Sequence, residues 1–83
     1  MKIIKFEASW CGPCQKMTSI IKNIKEKIPY PVEVVDIDEN FEQATKWNVR
    51  GVPTLILVNN DEVEIKRHTG VLREPELLSF LEQ

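Results

Sequence analysis

The segment Trp10-Cys11-Gly12-Pro13-Cys14 constrains this chain most, because it holds the only two cysteines and joins two stretches with different hydrophobic patterns. The apolar run before it, Ile3 to Ala8, is typical of a strand. From Cys14 onward, apolar residues recur at steps of three and four, which predicts a helix from Pro13 to about Lys27. Proline is tolerated in the first helical turn, so the helix can begin directly after the first cysteine.

This placement gives the two cysteines different expected roles. Cys11 would lie at a helix N-terminus, where unpaired N–H groups and the helix dipole stabilise a thiolate and lower the pKa of its thiol. Cys14, three residues later, would point the same way and close a disulfide with Cys11. We expect Cys14 to be the more buried sulfur. Cys11 would then attack a disulfide, and Cys14 would resolve the mixed disulfide.

Three other interpretations of the cysteine pair remain open from the residues alone. A structural zinc site needs four ligands, and only His68, otherwise expected at the surface, could join the two cysteines. A purely structural disulfide would gain little, because so short a loop removes little entropy from the unfolded chain. The third is a redox-inactive binding module. The position between a strand and a helix favours redox chemistry over all three.

Length and charge narrow the class of protein. The chain has 83 residues, which suits a single domain over residues 1–83. Its formal net charge is −2 with both signs interspersed, so we expect no nucleic-acid partner. The longest apolar run, Leu55 to Val58, is too short to span a membrane, and we expect no membrane association. Two cysteines cannot form a secreted disulfide framework, so the expected location is cytoplasmic.

The rest of the chain predicts a β-strand and α-helix alternation. The order is βαβαββα, an α/β fold with a four-stranded mixed sheet, helices on both faces and a parallel first pair of strands. After the first helix, the predicted elements are a mostly buried strand over Val32 to Ile37, a helix from Phe41 to Trp47, a buried strand from Leu55 to Val58, a half-exposed hairpin partner containing Val63 and Ile65, and a helix from Pro75 to Leu81.

Two of these predictions concern particular side chains of the second helix and its start. Asn40 is a suitable N-cap, and Gln43 three residues later would complete a capping box. The inward-facing stripe of that helix is predicted to consist of Phe41, Ala44, Thr45 and Trp47.

Two motifs in this chain resemble those of the thioredoxin family. Trp10-Cys11-Gly12-Pro13-Cys14 is similar to the family's active site, and Trp47 to Thr54 is similar to the segment that ends in its cis-proline. Asp38 at a strand end and Gly70 after the hairpin also match. The resemblance implies a thioredoxin-like fold.

The resemblance also implies a cis Val52–Pro53 bond and a substrate-binding surface. That surface would consist of Trp10, Gly12, Pro13, Val52, Pro53 and Gly70, with the backbone of Val52 free to pair with an extended substrate. From the residues alone, without the family resemblance, Trp10 could instead pack in the core, and Pro53 could occupy an ordinary turn with a trans peptide bond.

By the same resemblance, the protein would be a thiol-disulfide oxidoreductase that reduces protein disulfides. It would bind no cofactor or metal beyond its redox-active disulfide Cys11–Cys14, would act as a monomer, and would be reduced by an NADPH-fed flavoenzyme of the thioredoxin-reductase type. A glutaredoxin-like protein recycled by glutathione is the alternative. The short length of this chain favours the glutaredoxin-like alternative, whereas the Gly12-Pro13 pair between its cysteines argues against it.

The chain departs from the family pattern in two respects. By comparison with the family, we expect a short form, without the strand and helix that open thioredoxins of usual length. The family's buried aspartate aligns with Lys5, and the lysine partner of that aspartate aligns with Val34. We hypothesise that a buried Lys5 stabilises a thiolate on Cys14, with Glu7 on the same strand face as its partner. Alternatively, Lys5 snorkels to solvent.

Overall fold

The computed structural model describes residues 1–82, and within them the elements follow the predicted order βαβαββα. The strands are β1 (Lys2–Glu7), β2 (Val32–Asp36), β3 (Thr54–Val58) and β4 (Glu64–Thr69). The α-helices are α1 (Gly12–Asn23), α2 (Phe41–Lys46) and α3 (Glu74–Leu81), and a 3₁₀ turn covers Lys25–Lys27.

The four strands form one mixed sheet in the order β2-β1-β3-β4. β1 pairs with β2 in parallel, as expected for two strands joined by a helical crossover. β1 and β3 pair antiparallel, and so do β3 and β4. The predicted mixed sheet is therefore confirmed. β1 and β3 lie in its centre, and every residue of β3 is buried.

The core has one layer on each face of the sheet. On one face, Ile3 and Leu57 pack against Met17 of α1 and Leu77 of α3. On the other face, alternate residues of β1 and β3, together with Val35 of β2, pack against the half-buried Trp47 that follows α2; the residues from β1 and β3 are Ile4, Phe6, Ile56 and Val58. Helices thus cover both faces, as predicted, and α1 lies over the face that carries Lys5.

The first helix is shorter than predicted. α1 ends at Asn23, where the N–H of Ile24 is shared between the carbonyls of Ile20 and Ile21 at 3.3 and 3.2 Å. The 3₁₀ turn that follows keeps Ile24 buried and Ile28 half-buried against the same core. The apolar stripe therefore continues past the end of the helix, and the prediction of a helix to Lys27 was wrong.

The second strand and the second helix are also more exposed than predicted. β2 is an edge strand, and Val34 is 56% exposed, while Val35 is buried. Phe41 is 73% exposed, so α2 directs only Ala44 into the core. The predicted capping box at Asn40 was wrong, since its side chain makes no cap hydrogen bond.

The turn before α2 is held instead by Asp36 at the end of β2. Its carboxylate accepts hydrogen bonds from the N–H groups of Asp38 and Glu39 at 2.8 and 3.3 Å. Two successive donors are thereby satisfied by one side chain, which fixes the path of the chain where it leaves the sheet.

The last helix agrees with the predicted pattern, but the partner strand of the hairpin is more exposed than predicted, since Ile65 of β4 is 44% exposed. Val63 lies outside β4 and is 54% exposed, because the register shifts between Leu57 and Val58 and Glu62 adopts a positive φ of 62°. Pro75 lies in the first turn of α3, as predicted. The inward face of α3 consists of buried Leu77 and Leu81 with half-buried Leu78.

Candidate active site

The two cysteines lie where β1 gives way to α1. Cys11 is the N-cap residue, with extended backbone, and its Sγ accepts a hydrogen bond from the N–H of Cys14 at 3.0 Å. Pro13 occupies the first turn, as predicted, and lies exposed beside Gly12. Cys11 and Cys14 form a disulfide across a Cα–Cα distance of 5.2 Å. The Cys11 sulfur therefore lies at a helix N-terminus, where its anionic form is favoured.

Both sulfurs are close to the surface but covered. Cys11 is 4% exposed and Cys14 is 2% exposed, so the expected difference in burial is small. The pair forms a small apolar cluster with Ala8, against which half-buried Ile37 and Val52 pack. Cys11 therefore exposes little of its surface and has apolar neighbours.

The loop before β3 lies against this cluster. The Val52–Pro53 bond is cis, as the resemblance implied, and Val52 packs against the cysteines. The carbonyl of Pro53 accepts a hydrogen bond from the N–H of Gly70 at 2.8 Å, and Gly70 has a positive φ of 110°. The ring of Pro53 is fully buried. It therefore supports the expected surface from beneath, while Val52 and Gly70 are partly exposed.

Trp10 lies at the surface next to the disulfide. Its side chain is 68% exposed, so the alternative that it packs in the core was wrong. The indole Nε1 donates a hydrogen bond to the carboxylate of Asp38, 2.9 Å away. The sequence singled out Asp38 only as a strand end, and no local pattern indicated that it would bond a residue 28 positions earlier.

Lys5 lies beneath the first turns of α1. Its side chain is 2% exposed, so the alternative that it snorkels to solvent was wrong. Its ammonium forms an ion pair with Glu7 at 2.5 Å, bonds the hydroxyl of Thr18, and donates to the carbonyl of Cys14 at 3.4 Å. Val34 is its register partner on β2. Thr18 was not singled out from the sequence, because its contact with Lys5 depends on how α1 lies over the sheet.

The zinc site considered from the sequence, with His68 as a ligand, is not supported by the structure. His68 is half-buried in β4 opposite Leu55. Among residues 1–82, no group of three or more His, Cys, Asp or Glu side chains is arranged to hold a metal ion. None of the helices in that part of the chain is both long and apolar enough to cross a membrane.

Comparison with known proteins gives consistent matches along the chain. The family model described as Thioredoxin matches residues 1–83. A thioredoxin of Chlamydia pneumoniae is 38% identical over 80 residues, which are 95% of this chain and 76% of that protein. Thioredoxin C-3 of Corynebacterium nephridii is 37% identical over 82 residues, 98% of this chain and 56% of that protein. The chain thus spans between about half and three quarters of these relatives.

Solved structures give the same result for the fold. A mutant thioredoxin from Halobacterium salinarum NRC-1 superposes with a TM-score of 0.87 at 35% identity, covering 96% of this chain and 70% of that one. The backbone described above is therefore shared with a protein of similar sequence.

Proposed function

Because the chain belongs to the thioredoxin family, a family of thiol-disulfide oxidoreductases, we propose that it is a protein disulfide reductase that cycles Cys11 and Cys14 between dithiol and disulfide. The observation that carries this proposal is the Cys11–Cys14 disulfide at the start of α1, with the Cys14 N–H directed at the Cys11 sulfur.

The proposed reaction has two exchange steps. The thiolate of Cys11 attacks one sulfur of a substrate disulfide, forms a mixed disulfide and expels the other substrate sulfur as a thiolate. Cys14, as a thiolate, then attacks Cys11, forms the intramolecular disulfide and expels the second substrate sulfur. Two electrons pass from the enzyme to the substrate. The proton of Cys14 goes to water, and the substrate thiolates take protons from water.

We propose that the substrate binds against Trp10, Val52 and Gly70, with Gly12 and Pro13 bordering the sulfurs. Pro53 contributes support only, because its ring is buried. Since Cys11 is 4% exposed, a folded surface cannot easily reach it. A disulfide on an extended segment of a protein substrate fits better, because such a segment can pair with the backbone of Val52.

The electron donor and the setting are part of the same proposal. An NADPH-fed flavoenzyme of the thioredoxin-reductase type would return the Cys11–Cys14 disulfide to the dithiol. The protein would work as a monomer in the cytoplasm, without a bound cofactor. The proposed reaction needs only the two sulfurs and a reductant, since the Cys11–Cys14 dithiol itself carries the two electrons.

Reduction of insulin by dithiothreitol, followed by turbidity, tests the proposed activity without the natural donor. We expect the parent protein to accelerate the reaction, and Cys11→Ser and Cys14→Ser each to abolish turnover. Cys14→Ser should also accumulate a mixed disulfide with insulin. Ser19→Ala, at an exposed position of α1, is the matched control and should retain the parental rate. Failure of the parent protein to accelerate the reduction would instead indicate a redox-inactive binding module.

A second assay separates the two electron donors. The disulfide is offered either NADPH with thioredoxin reductase, or glutathione with NADPH and glutathione reductase. We expect NADPH consumption in the first system to exceed that in the second by at least about tenfold, as for a dithiol of low reduction potential. The opposite order would make the protein glutaredoxin-like in its donor.

A further inference from the structure

The charged pair Lys5–Glu7 lies under the helix turn that carries the cysteines, on the sheet face that α1 covers. The Lys5 side chain is 2% exposed and the Glu7 side chain is 29% exposed, so the ammonium is enclosed while the carboxylate reaches solvent. A cleft of about 170 Å³, lined in part by Glu7, Thr18 and Val34, opens beside them. Burying an unpaired ammonium costs folding free energy, and the Lys5 ammonium avoids this cost because it has an ion-pair partner and two further hydrogen-bond acceptors.

Three acceptors hold the ammonium in one position. Besides the Glu7 carboxylate, it bonds the Thr18 hydroxyl and the Cys14 carbonyl. The Thr18 hydroxyl in turn donates to the same Cys14 carbonyl at 3.0 Å. A full positive charge is thereby fixed against the backbone of the residue that carries the second sulfur. The Glu7 carboxylate, which compensates this positive charge, is bonded directly to the ammonium.

Within residues 1–82, no other charge is bonded to this ammonium. On β2, Asp36 is the register partner of Glu7, and its carboxylate is bonded to two backbone N–H groups of the following turn. On α1 and the 3₁₀ turn, Lys22 and Lys25 line the adjacent groove and are exposed. On β3, the residue opposite Lys5 is apolar. The charge held against the Cys14 backbone is therefore the enclosed Lys5 ammonium, with Glu7 as its ion-pair partner.

We propose that Lys5 and Glu7 are a pair of positioning residues with opposite effects on the redox couple: Lys5 stabilises the reduced, thiolate-bearing form of the cysteine pair, and Glu7 limits that stabilisation. The inference rests on the proposed redox function and assigns two residues that set its potential. In the half-reaction, two electrons break the Cys11–Cys14 bond, and each sulfur takes a proton from water or remains a thiolate. Only the thiolate state gains from the ammonium.

The opposite signs distinguish this role from a structural one. Lys5→Met removes the positive charge, so the equilibrium with dithiothreitol should shift toward the protein disulfide by about tenfold, which corresponds to one pKa unit of thiolate stabilisation. Glu7→Gln leaves the positive charge uncompensated, so the equilibrium should shift toward the dithiol by a similar factor. The double variant should lie within about twofold of the parent, since the two shifts cancel.

Two further variants control for packing. Lys5→Arg keeps the charge and should keep the parental equilibrium within about threefold. Thr18→Val removes an acceptor of the ammonium but neither charge, so it should shift the equilibrium far less than Lys5→Met does. If Glu7→Gln does not fold, the comparison of Lys5→Met with Lys5→Arg still decides the sign of the Lys5 effect.

The experiment measures the fraction of protein disulfide in dithiothreitol buffers of defined ratio, together with the thiolate absorbance of the reduced protein against pH. The expected result is opposite shifts for Lys5→Met and Glu7→Gln, with the thiolate forming at higher pH in Lys5→Met. Equal potentials and superimposable titrations would overturn the inference, as would shifts of the same sign. Failure of the proposed function is a separate outcome, because it is the loss of insulin reduction by the parent.

Discussion

The indole Nε1 of Trp10 lies 2.9 Å from Oδ2 of Asp38, so an exposed aromatic ring beside the disulfide is fixed by a residue in the turn that follows the parallel strand β2. The bond leaves the apolar face of the ring available while its only donor is satisfied. Trp10 is thus held in a defined orientation at the edge of the proposed substrate surface.

Asp38→Ala should raise the KM for insulin about fivefold and leave kcat unchanged, since a hydrogen bond of this kind contributes about 1 kcal/mol and the ring must otherwise be ordered on binding. Asp38→Asn is the control, because its amide oxygen can still accept from the indole. Steady-state kinetics measure both. A KM for Asp38→Ala equal to that of the parent would show that the ring orientation is irrelevant to binding.

Gly70→Ala should lower the free energy of unfolding by about 1–3 kcal/mol, because Gly70 has a φ of 110° that side chains with a Cβ rarely adopt. No close contact adds to this cost, since the nearest atom to the new methyl would be 3.8 Å away. Urea unfolding of the oxidised protein measures it.

The control for this substitution is Gly12→Ala in the first turn of α1, where no heavy atom lies within 4 Å of the added carbon. It should leave the stability unchanged or raise it by up to about 1 kcal/mol, since alanine favours helix. Equal effects of the two substitutions would contradict a role for the backbone angle at Gly70.

Glu64 and Arg67 provide a pH-dependent contribution to stability. Arg67 donates to the Glu64 carboxylate through Nε at 2.8 Å and Nη2 at 2.5 Å, and this hydrogen bonding lowers the pKa of Glu64 below its ordinary 4.5. A lowered pKa in the folded state adds stability above the unfolded pKa, and that stability is lost as the pH falls through the folded value.

Glu64→Gln should therefore cost about 0.5 kcal/mol at neutral pH, a small value because both side chains are about one third exposed. The cost should disappear progressively below about pH 4.5, where the parent carboxylate becomes protonated. Urea unfolding at a series of pH values tests it. Ser19→Ala, at an exposed position of α1 and without a titratable group, is the control and should show no such trend.

Met17 has two roles in the core: its side chain packs there, and its sulfur accepts a hydrogen bond. It is fully buried, and its sulfur lies 3.5 Å from the backbone N–H of Leu72, which donates to it. Met17→Leu keeps the volume but removes the acceptor, so it should cost about 1–3 kcal/mol for the unsatisfied N–H. Leu77→Met in the same cluster is a volume-conserving control and should cost less than about 1.5 kcal/mol. Equal costs in urea unfolding would assign no role to the sulfur.

The order and pairing of the elements could be predicted because hydrophobic spacing and proline positions are local signals. The junction at Cys11 and Pro13 is an example, since one residue's fixed φ and the spacing to Cys14 define a helix start. The cis bond at Pro53 and the surface around it could be expected only from the resemblance, because an X–Pro bond gives no local indication of its isomer.

The structure differs from the sequence-based prediction where tertiary packing determines the local structure or the burial of a side chain. Spacing alone could not show that Ile24 and Ile28 face the core from either side of a 3₁₀ turn rather than from a longer helix. It could not show that Phe41 faces solvent, because that depends on where α2 lies over the sheet. For Lys5, the sequence left burial and snorkelling open, and the outcome depends on acceptors that α1 brings from 9 and 13 residues away.

Val52, which packs against the two cysteines, and Pro53 lead directly into β3, whose five residues are all buried. A segment anchored in this way cannot change its conformation for each substrate without opening the core of the protein. Under the proposed function, the substrate must therefore adapt to this surface. We expect a disulfide in a locally extendable segment to be reduced, and a disulfide in a rigid domain to be reduced only after that domain opens locally.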